Sequence, residues 1–460
     1  MLTKNPEFIR NLWIELSPHR LIATPLILLL SFYLFGTWTG AHGIQSAATV
    51  LFLIVVVGGG SMQASGAVLS EVKGGTWMLQ RLTAIQPWAM TWGKLFGSTA
   101  FSWYTGAGCL AAFVSAGLLH ERDAVSRWAV LGGDITLSVL YLVGVALLFQ
   151  VMGLVSSLIN ASGFSLQSRR NSRAGILVLL LIAMPFLNLF RQATTMSSLQ
   201  WWEMSFIPKY FWLASLYVFV AWGLTGSYML MRKQLQVANG PGVWLAFVLF
   251  LIFYIDGFIH AGSFFASSPT MAGVWRLGFA VSASVSASYL MVFWERTSVV
   301  DIQRLRRCLD LGRSVQSLQE TPLWALTAGL AVAFGAAFMM YLKLQGYAPT
   351  LATPPNLYSL TTAVLGFMMR DLGLVLYFQF SKKSERASLT ALVYFGILYF
   401  LLPAFVRAID LPSLLPWFLP TGRGSVLGDS IPAFVQAALM WLAVARQWRG
   451  RTAIDTMPRA

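Results

Sequence analysis

Long apolar runs dominate the sequence, and this feature most constrains how the chain can fold. Twelve runs are each long enough to cross about 30 Å of hydrocarbon at 1.5 Å per helical residue. Only 11% of the 460 residues are charged, whereas about a quarter are charged in soluble domains. We therefore predict an all-α, polytopic integral membrane protein with about 12 transmembrane helices, six on each side of a polar break at 234–242. The predicted spans are 21–38, 46–69, 95–118, 128–157, 174–190, 210–231, 243–259, 274–294, 323–342, 358–379, 388–407 and 430–446.

The distribution of basic residues predicts the orientation of the chain. Cytoplasmic loops of membrane proteins carry an excess of Lys and Arg. With the amino terminus inside, the inner segments hold 23 of the 32 Lys and Arg, the outer segments hold 8, and Arg370 lies within a span. This ratio predicts a multi-pass protein of the inner (cytoplasmic) cell membrane with both termini in the cytoplasm. It also explains the net charge of +15 without a nucleic-acid partner.

The first twenty residues predict a helix that precedes the first span. Asn5 suits the N-cap and Pro6 the first helical position. Apolar residues then recur at helical spacing, with polar residues largely on the opposite face, which predicts an amphipathic interfacial helix that contacts membrane lipid. The alternatives are an exposed lead-in or a helix buried against the protein. The apolar set is Phe8, Ile9, Leu12, Trp13 and Leu16, and the polar set is Glu7, Arg10, Asn11 and Glu15.

The loop between the second and third spans has the most specific pattern in the chain. Glu71 is expected at the cytoplasmic edge, and the pair Gly74-Gly75 allows a sharp turn after it. The pattern then predicts a short helix with one apolar side, which Pro87 ends before the next span opens at Gly93. Such a helix can transmit a movement of a cytoplasmic partner to the membrane helices. Its predicted apolar side is Trp77, Met78, Leu79 and Leu82.

This order of features resembles the membrane subunits of type-2 ABC transporters, in which the corresponding loop contains a coupling helix. The resemblance covers about residues 1–235, the six-span core. It implies that a separate cytoplasmic ABC ATPase subunit contacts this loop and drives transport, most often export. The matching positions are Glu71, Gly75, Thr76, Leu82, Thr83, Pro87, Trp88, Gly93 and Lys94.

The second half, residues 236–460, is predicted to be another six-span membrane bundle. Its long inner loop, 295–322, lacks the Gly-Thr-Trp and Pro-Trp elements of the first half. A solvated or lipid-facing basic helix is therefore favoured there over a second coupling helix. The bundle is either a degenerate repeat or an accessory domain. Whether one chain supplies the whole pathway or pairs with a second copy of itself stays open.

The chain contains no motif for ATP chemistry. A phosphate-binding loop needs Gly, four residues, then Gly-Lys-Ser/Thr. At the single Gly-Lys pair, Gly93-Lys94, Trp88 stands where the first Gly should be and Leu95 follows the Lys. We therefore predict no catalytic residues and no cofactor in this chain, with ATP and Mg bound by the partner subunit. The four histidines, His19, His42, His120 and His260, lack metal-ligand spacing, so no metal site is expected.

Charged residues inside spans suggest a possible polar site, because such residues are costly in a bilayer. Arg370 and Asp371 fall near the middle of the tenth span, and Asp134 and Asp256 fall nearer the outer ends of the fourth and seventh. Neighbouring residues on a helix diverge by about 100°, so Arg370 and Asp371 should each need a partner on another helix.

The charged residues within the spans allow two alternative functions, neither of which gives a role to the loop between the second and third spans. One is an ion- or proton-coupled transporter with a polar lining. The other is a membrane-embedded enzyme that acts on lipid-linked substrates, with His120 as a further candidate. The structural alternatives for Arg370 and Asp371 are an interhelical pair inside the bundle or a helix that ends early near Met368.

Overall fold

The fold is taken from a computed structural model of the chain. The structure describes residues 5–83, 85–120, 133, 135–162, 198–237, 239–263, 266, 268–295, 297–346, 356–381, 387–422 and 426–455. Two compact units divide the chain. Unit 1 comprises Met1–Leu199 and Ser205–Asn239, and unit 2 comprises Gln200–Met204 and Gly240–Ala460. The predicted domain boundary after residue 235 falls in the turn beside this division.

Unit 1 is built from helices of very different length. A π-helical stretch, Leu53–Gly59, joins the second helix to the third. Two strands of three residues, β1 (Leu199–Trp201) and β2 (Met204–Phe206), form a small ribbon before the last helix, and Gln200–Met204 of this ribbon is assigned to unit 2. The helices are α1 (Pro6–Glu15), α2 (Pro18–Phe52), α3 (Gly60–Gly66), α4 (Leu69–Lys73), α5 (Trp77–Arg81), α6 (Pro87–Ser98), α7 (Ala100–His120), α8 (Thr136–Ser162) and α9 (Pro208–Gln234).

The long helix α2 folds back on itself at Gly40. Gly40 has φ 66° and ψ −154°, which interrupts the helix at a conformation that glycine adopts without a steric penalty. The Tyr104 hydroxyl donates to the Leu21 carbonyl at 2.9 Å, and the Ser102 hydroxyl donates to the Gln63 side chain at 2.8 Å. In a straight helix Leu21 and Gln63 would lie about 63 Å apart, so contact with one turn of α7 requires the chain to reverse. The two limbs of this hairpin flank α7.

The helices α8 and α9 run parallel and pack closely through glycines. A Cβ built on Gly144 would lie 2.7 Å from the Leu216 side chain, and one built on Gly223 would lie 2.7 Å from Val151. The predicted fifth span, 174–190, falls between these helices in the chain and lies outside the described residues.

Unit 2 surrounds one deeply buried helix. Helix α15 places most of its residues in the core of the unit, and it runs parallel to α18, where a Cβ on Gly366 would lie 2.8 Å from Ala433 Cβ. The π-helical stretch Ile397–Leu401 joins α16 to α17, and a 3₁₀ turn, Pro412–Trp417, follows. The helices are α10 (Gly242–Asp256), α11 (Pro269–Trp294), α12 (Val299–Asp310), α13 (Ser314–Glu320), α14 (Leu323–Leu344), α15 (Leu357–Gln379), α16 (Ala387–Gly396), α17 (Leu402–Ala408) and α18 (Val426–Asp455).

The prediction of an all-α protein with helices that can cross a membrane is confirmed at that level. Nine helical runs within the described residues are long and apolar enough to span a bilayer. Their outer surfaces carry large exposed apolar side chains such as Leu30, Phe400 and Leu439, which a lipid environment would cover. The runs are Pro18–Lys73, Ala100–Leu119, Thr136–Ala161, Pro208–Gln234, Pro269–Trp294, Leu323–Leu344, Leu357–Gln379, Ala387–Ala408 and Val426–Gly450.

The difference between nine runs and twelve predicted spans has three sources. The first two predicted spans are limbs of one continuous 56-residue run, Pro18–Lys73. The fifth lies outside the described residues. The seventh corresponds to α10, which has only 15 residues and would rise about 23 Å, less than the hydrocarbon thickness.

Candidate functional site

The loop after the second limb folds as the sequence pattern indicates. Helix α4 ends at Gly74, and Gly75 follows with φ +73°, a conformation that disfavours residues with a Cβ. The amide of Thr76 then donates to the Glu71 carbonyl at 3.0 Å and closes the turn. Helix α5 begins at Trp77, and Pro87 occupies the first position of α6. The loop is therefore a turn, a one-turn helix and the start of the next helix.

Four charged side chains meet where this loop contacts the N-terminal helix. The Lys94 Nζ atom lies 2.7 Å from Glu7 Oε1 and also pairs with Glu71. The Arg10 guanidinium lies 2.9 Å from Glu7 Oε1 and pairs with Glu71 as well. Each carboxylate thus contacts both cations, so that negative and positive side chains alternate around a ring. We call Glu7, Lys94, Glu71 and Arg10 the charge ring. Three separate elements, α1, α4 and α6, are joined by it.

The charge ring is sheltered from solvent on one side. The Lys94 and Glu7 side chains are only 1% and 4% exposed, whereas Arg10 is 41% exposed. Burial by itself lowers the pKa of Arg10, but the hydrogen bond and charge of Glu71 together with the charge of Glu7 raise it above its ordinary value. The formal charges of the two carboxylates and the two cations in the ring cancel. Removing one partner of a buried ion pair strongly destabilises the fold, because the other charge stays buried without compensation.

The N-terminal helix is held against α6 by close backbone packing. Asn5 caps α1 by accepting from the amides of Glu7 and Phe8, and Pro6 is its first residue, so the predicted start of the helix is confirmed. The Asn5 side chain also donates to the Ala89 carbonyl at 2.6 Å. Helix α1 turns Glu7 towards the protein and leaves Trp13 80% exposed. The buried Glu7 thus faces the protein, and of the predicted apolar set Ile9 and Trp13 are exposed while Phe8, Leu12 and Leu16 are half-buried.

The short helix α5 exposes apolar side chains. Met78, Leu79 and Leu82 are 65%, 68% and 84% exposed. Trp77, which the sequence placed on the same apolar side, is instead buried, with its ring 5.8 Å from the Lys94 Nζ atom. The predicted four-residue apolar side is therefore divided, because Trp77 packs over the charge ring and three residues point outward.

Helices α8 and α9 hold the loop in place through hydrogen bonds. The Ser157 hydroxyl accepts from the amides of Val68 and Leu69 at 3.1 Å each, where α4 begins. Arg81 donates to the Gln234 side chain at 3.1 Å, and Gln234 donates to the Leu158 carbonyl at 2.9 Å. A displacement of α5 is therefore resisted by contacts to the ends of both long helices.

The remaining predicted loop residues have local roles. The Thr83 hydroxyl donates to the Gln80 carbonyl at 2.6 Å and ends α5. Trp88 is 46% exposed and packs edge-on against Trp92 and Tyr228, with ring centroids 5.3 and 5.4 Å apart. The structure thus places every predicted loop residue on one contiguous segment. Only Glu71 and Lys94 among them belong to the charge ring.

Arg370 and Asp371 are both buried in unit 2, and they pair with each other. The Arg370 Nε and NH2 atoms each lie 2.8 Å from Asp371 Oδ1. The expected divergence of the two side chains is therefore wrong, because the long Arg side chain bends back along the helix. The expectation of partners on other helices is confirmed. Asp371 Oδ2 accepts from Tyr289 at 2.7 Å and from Tyr399 at 2.5 Å, and Arg370 donates to Gln436 at 2.9 Å.

The other two predicted intramembrane acids do not join this network. Asp256 is the last residue of α10 and takes part in none of the hydrogen bonds around Asp371. Asp134 lies outside the described residues, and of the His120 side chain nothing is described. Within the described residues, no group of three or more His, Cys, Asp or Glu side chains is arranged to hold a metal ion.

The sequence pattern missed several buried polar partners. Asp429, at the start of α18, is 2% exposed and accepts from Ser359 at 2.5 Å and from Thr421 at 3.1 Å. Its position just before the last predicted span was the only signal for it. Tyr289 and Tyr399 had no signal, because tyrosine is common near membrane interfaces and its partner could not be known. Glu7 and Arg10 appeared only as the polar face of α1.

Close packing at Gly93 predicts opposite effects of two glycine substitutions. A Cβ on Gly93 would lie 2.8 Å from Glu7 Cβ and 3.1 Å from the Phe8 amide nitrogen. We expect Gly93→Ala to lower the free energy of unfolding by about 1–3 kcal/mol, because α1 must move away from α6. Gly66→Ala is the matched control, since nothing lies within 4 Å of its Cβ and helical Ala is favoured over Gly by about 1 kcal/mol. Denaturant titration in detergent micelles, followed by tryptophan fluorescence, measures both. Equal losses for the two variants would contradict the close α1–α6 contact.

Comparison with protein-family models, with curated proteins and with solved structures finds no match to this chain.

Proposed function

We propose that this chain is the membrane permease subunit of an ATP-driven ABC transporter, coupled through the loop Glu71 to Lys94 to a separate cytoplasmic ATPase subunit. The observation that carries the proposal is the charge ring. It anchors both ends of the loop to the N-terminal helix, while α5 and the residue that follows it present Met78, Leu79 and Leu82 outward. A braced segment with an exposed apolar face is the arrangement that a force-transmitting contact requires.

The geometry supports transmission rather than passive docking. The contacts of Ser157 and Gln234 connect the loop to α8 and α9, and Lys94 lies about two turns inside α6. A partner that moves α5 would therefore move the ends of several helices together. ATP binding and hydrolysis in the partner, with its Mg, would supply the motion and switch the bundle between inward- and outward-facing states.

The proposed topology keeps twelve crossings and both termini in the cytoplasm. Because α2 folds back at Gly40, α1 and the loop lie on the same face of unit 1, as their contacts require. The excess of basic residues makes that face cytoplasmic. By resemblance to the type-2 family, transport is proposed to be export across the inner membrane. If unit 2 does not complete the transport pathway, the proposal includes a second copy of the chain that completes it.

The proposal predicts that an exposed residue at the end of α5 controls ATPase recovery. Leu82 is 84% exposed, so Leu82→Asp should leave the fold intact but place a charge in the apolar contact. Affinity purification of the tagged chain from its native membranes in mild detergent should recover an ATPase subunit. Leu82→Asp should lower that recovery tenfold or more, as expected where a contact worth about 2 kcal/mol is lost.

Leu344→Asp is the matched control, because Leu344 is also exposed, at 72%, but is the last residue of α14 in unit 2. It should leave ATPase recovery unchanged. A well-folded chain that never recovers an ATPase, or equal loss in both variants, would contradict the proposal. Transport in vesicles driven by an ion gradient without ATP would then support the ion-coupled alternative.

A further inference from the structure

A basic groove lies on unit 2 between α12 and the end of α18. It encloses about 580 Å³ and is lined by Arg306, Arg307 and Arg449, with Trp448 beside them. Gln303 and Asp310 complete the lining. The three guanidinium groups against one carboxylate give the groove a net charge of +2. This site is separate from the loop and from the Arg370–Asp371 network.

The groove is placed at the end of the membrane-spanning helices. Trp448 and Arg449 end the apolar run Val426–Gly450. The Gln379 side chain donates to the Val292 carbonyl at 2.9 Å, which brings together the carboxyl ends of α15 and α11. Because α18 runs parallel to α15, Trp448 lies at the same face. Helix α12 follows α11 directly, so the groove lies beside the carboxyl ends of these apolar helices.

An apolar stripe continues from the groove along the same segment. Val315 and Leu318, three residues apart on α13, are 70% and 50% exposed, and Leu311, in the turn between α12 and α13, is 59% exposed. Leu309, at the end of α12, is 60% exposed. Exposed apolar residues beside clustered arginines are typical of a segment whose apolar side enters the acyl layer while its basic side meets headgroups. The segment therefore has the chemistry of a membrane surface contact on both sides.

We propose that this groove binds the phosphate headgroup of an anionic phospholipid from the adjacent leaflet. Guanidinium groups pair with phosphate oxygens through two parallel hydrogen bonds, and three arginines line this groove. A Trp at the end of a span prefers the headgroup layer and can flank the bound lipid. The orientation given by the basic residues makes this leaflet the cytoplasmic one, whose anionic lipids attract Arg and Lys.

Lipid binding to the full-length chain tests the proposal. The purified protein in neutral detergent is titrated with dioctanoyl-phosphatidylglycerol, and bound lipid is counted by native mass spectrometry. Dioctanoyl-phosphatidylcholine serves as the neutral lipid and inorganic phosphate as the free anion. We expect phosphatidylglycerol to bind at least tenfold more tightly than either, because the groove supplies charge and the stripe supplies an apolar surface.

Arginine substitutions locate the site. Arg306→Gln with Arg307→Gln should weaken phosphatidylglycerol binding about 25-fold, at roughly fivefold for each arginine, which corresponds to about 1 kcal/mol apiece. Arg304→Gln is the matched control, because Arg304 is exposed on the same helix but does not line the groove; its effect should stay within about twofold. Equal binding of phosphatidylcholine, equal effects of the control, or tighter binding of inorganic phosphate than of the lipid would each overturn the proposal. These outcomes do not depend on ATPase recovery.

Discussion

Replacing Asp371 with asparagine is expected to lower the free energy of unfolding by about 3–5 kcal/mol, because Arg370 would keep a buried charge without its counterion. Asp371 is fully buried and Arg370 is 4% exposed. The asparagine oxygen can still accept from Tyr289 and Tyr399, so the variant removes the charge with little change of shape. Titration with denaturing detergent, followed by tryptophan fluorescence, measures the loss.

A double variant separates the charge from the packing. Asp371→Asn combined with Arg370→Gln removes both charges and leaves polar groups for Tyr289 and Gln436, so it should be more stable than Asp371→Asn alone. Asp310→Asn, at an exposed position of α12, is the control and should change stability by no more than about 0.5 kcal/mol. A double variant less stable than the single one would show that Arg370 is not stabilised chiefly by Asp371.

The same double variant also tests whether the network has a transport role. Every oxygen of Asp371 accepts hydrogen bonds from protein groups, which favours a structural pair that fixes α15 among its neighbours. A folded double variant that retains ATP-driven transport supports this interpretation. A folded double variant that loses transport driven by an ion gradient supports the polar-site hypothesis instead.

The general architecture could be predicted from the sequence because apolar length and helix rise determine whether a segment can cross a bilayer. The hairpin at Gly40 shows the limit of this approach. Its two limbs were predicted as separate spans, yet the backbone stays helical on both sides of one glycine, so no long loop marks the reversal. The short helix α10 shows the converse, since its apolar run extends beyond the residues that form the helix.

The candidate site could be predicted only in part, since sequence spacing identifies local segments but not their distant partners. The turn at Gly75 and the start of α6 at Pro87 follow from backbone preferences that are local. The pairing of Lys94 with Glu7 joins residues 87 positions apart, and nothing in either helix indicates the other. Trp77 was misassigned for the same reason, because its burial depends on where Lys94 lies.

Replacing Lys94 with methionine is expected to be as damaging as the loss of Asp371, at about 3–5 kcal/mol of the free energy of unfolding. Lys94 is 1% exposed and is the buried cation of the charge ring. Without it, Glu7 and Glu71 share only Arg10, which is 41% exposed. The two carboxylates would then repel each other, and α1 would separate from α6. Titration with denaturing detergent, followed by tryptophan fluorescence, should show the lower free energy of unfolding.

Two further variants show whether the ring itself carries the effect. Lys73→Met removes an exposed lysine of α4 and should change stability by no more than about 0.5 kcal/mol. Lys94→Met with Glu7→Gln leaves the pair of Arg10 and Glu71 and should recover part of the loss. If ATPase recovery falls in Lys94→Met and returns with Glu7→Gln, the ring acts by holding the loop. If stability returns without ATPase recovery, Lys94 itself is required for coupling, because the fold would be intact while the buried connection between the loop and α6 is lost.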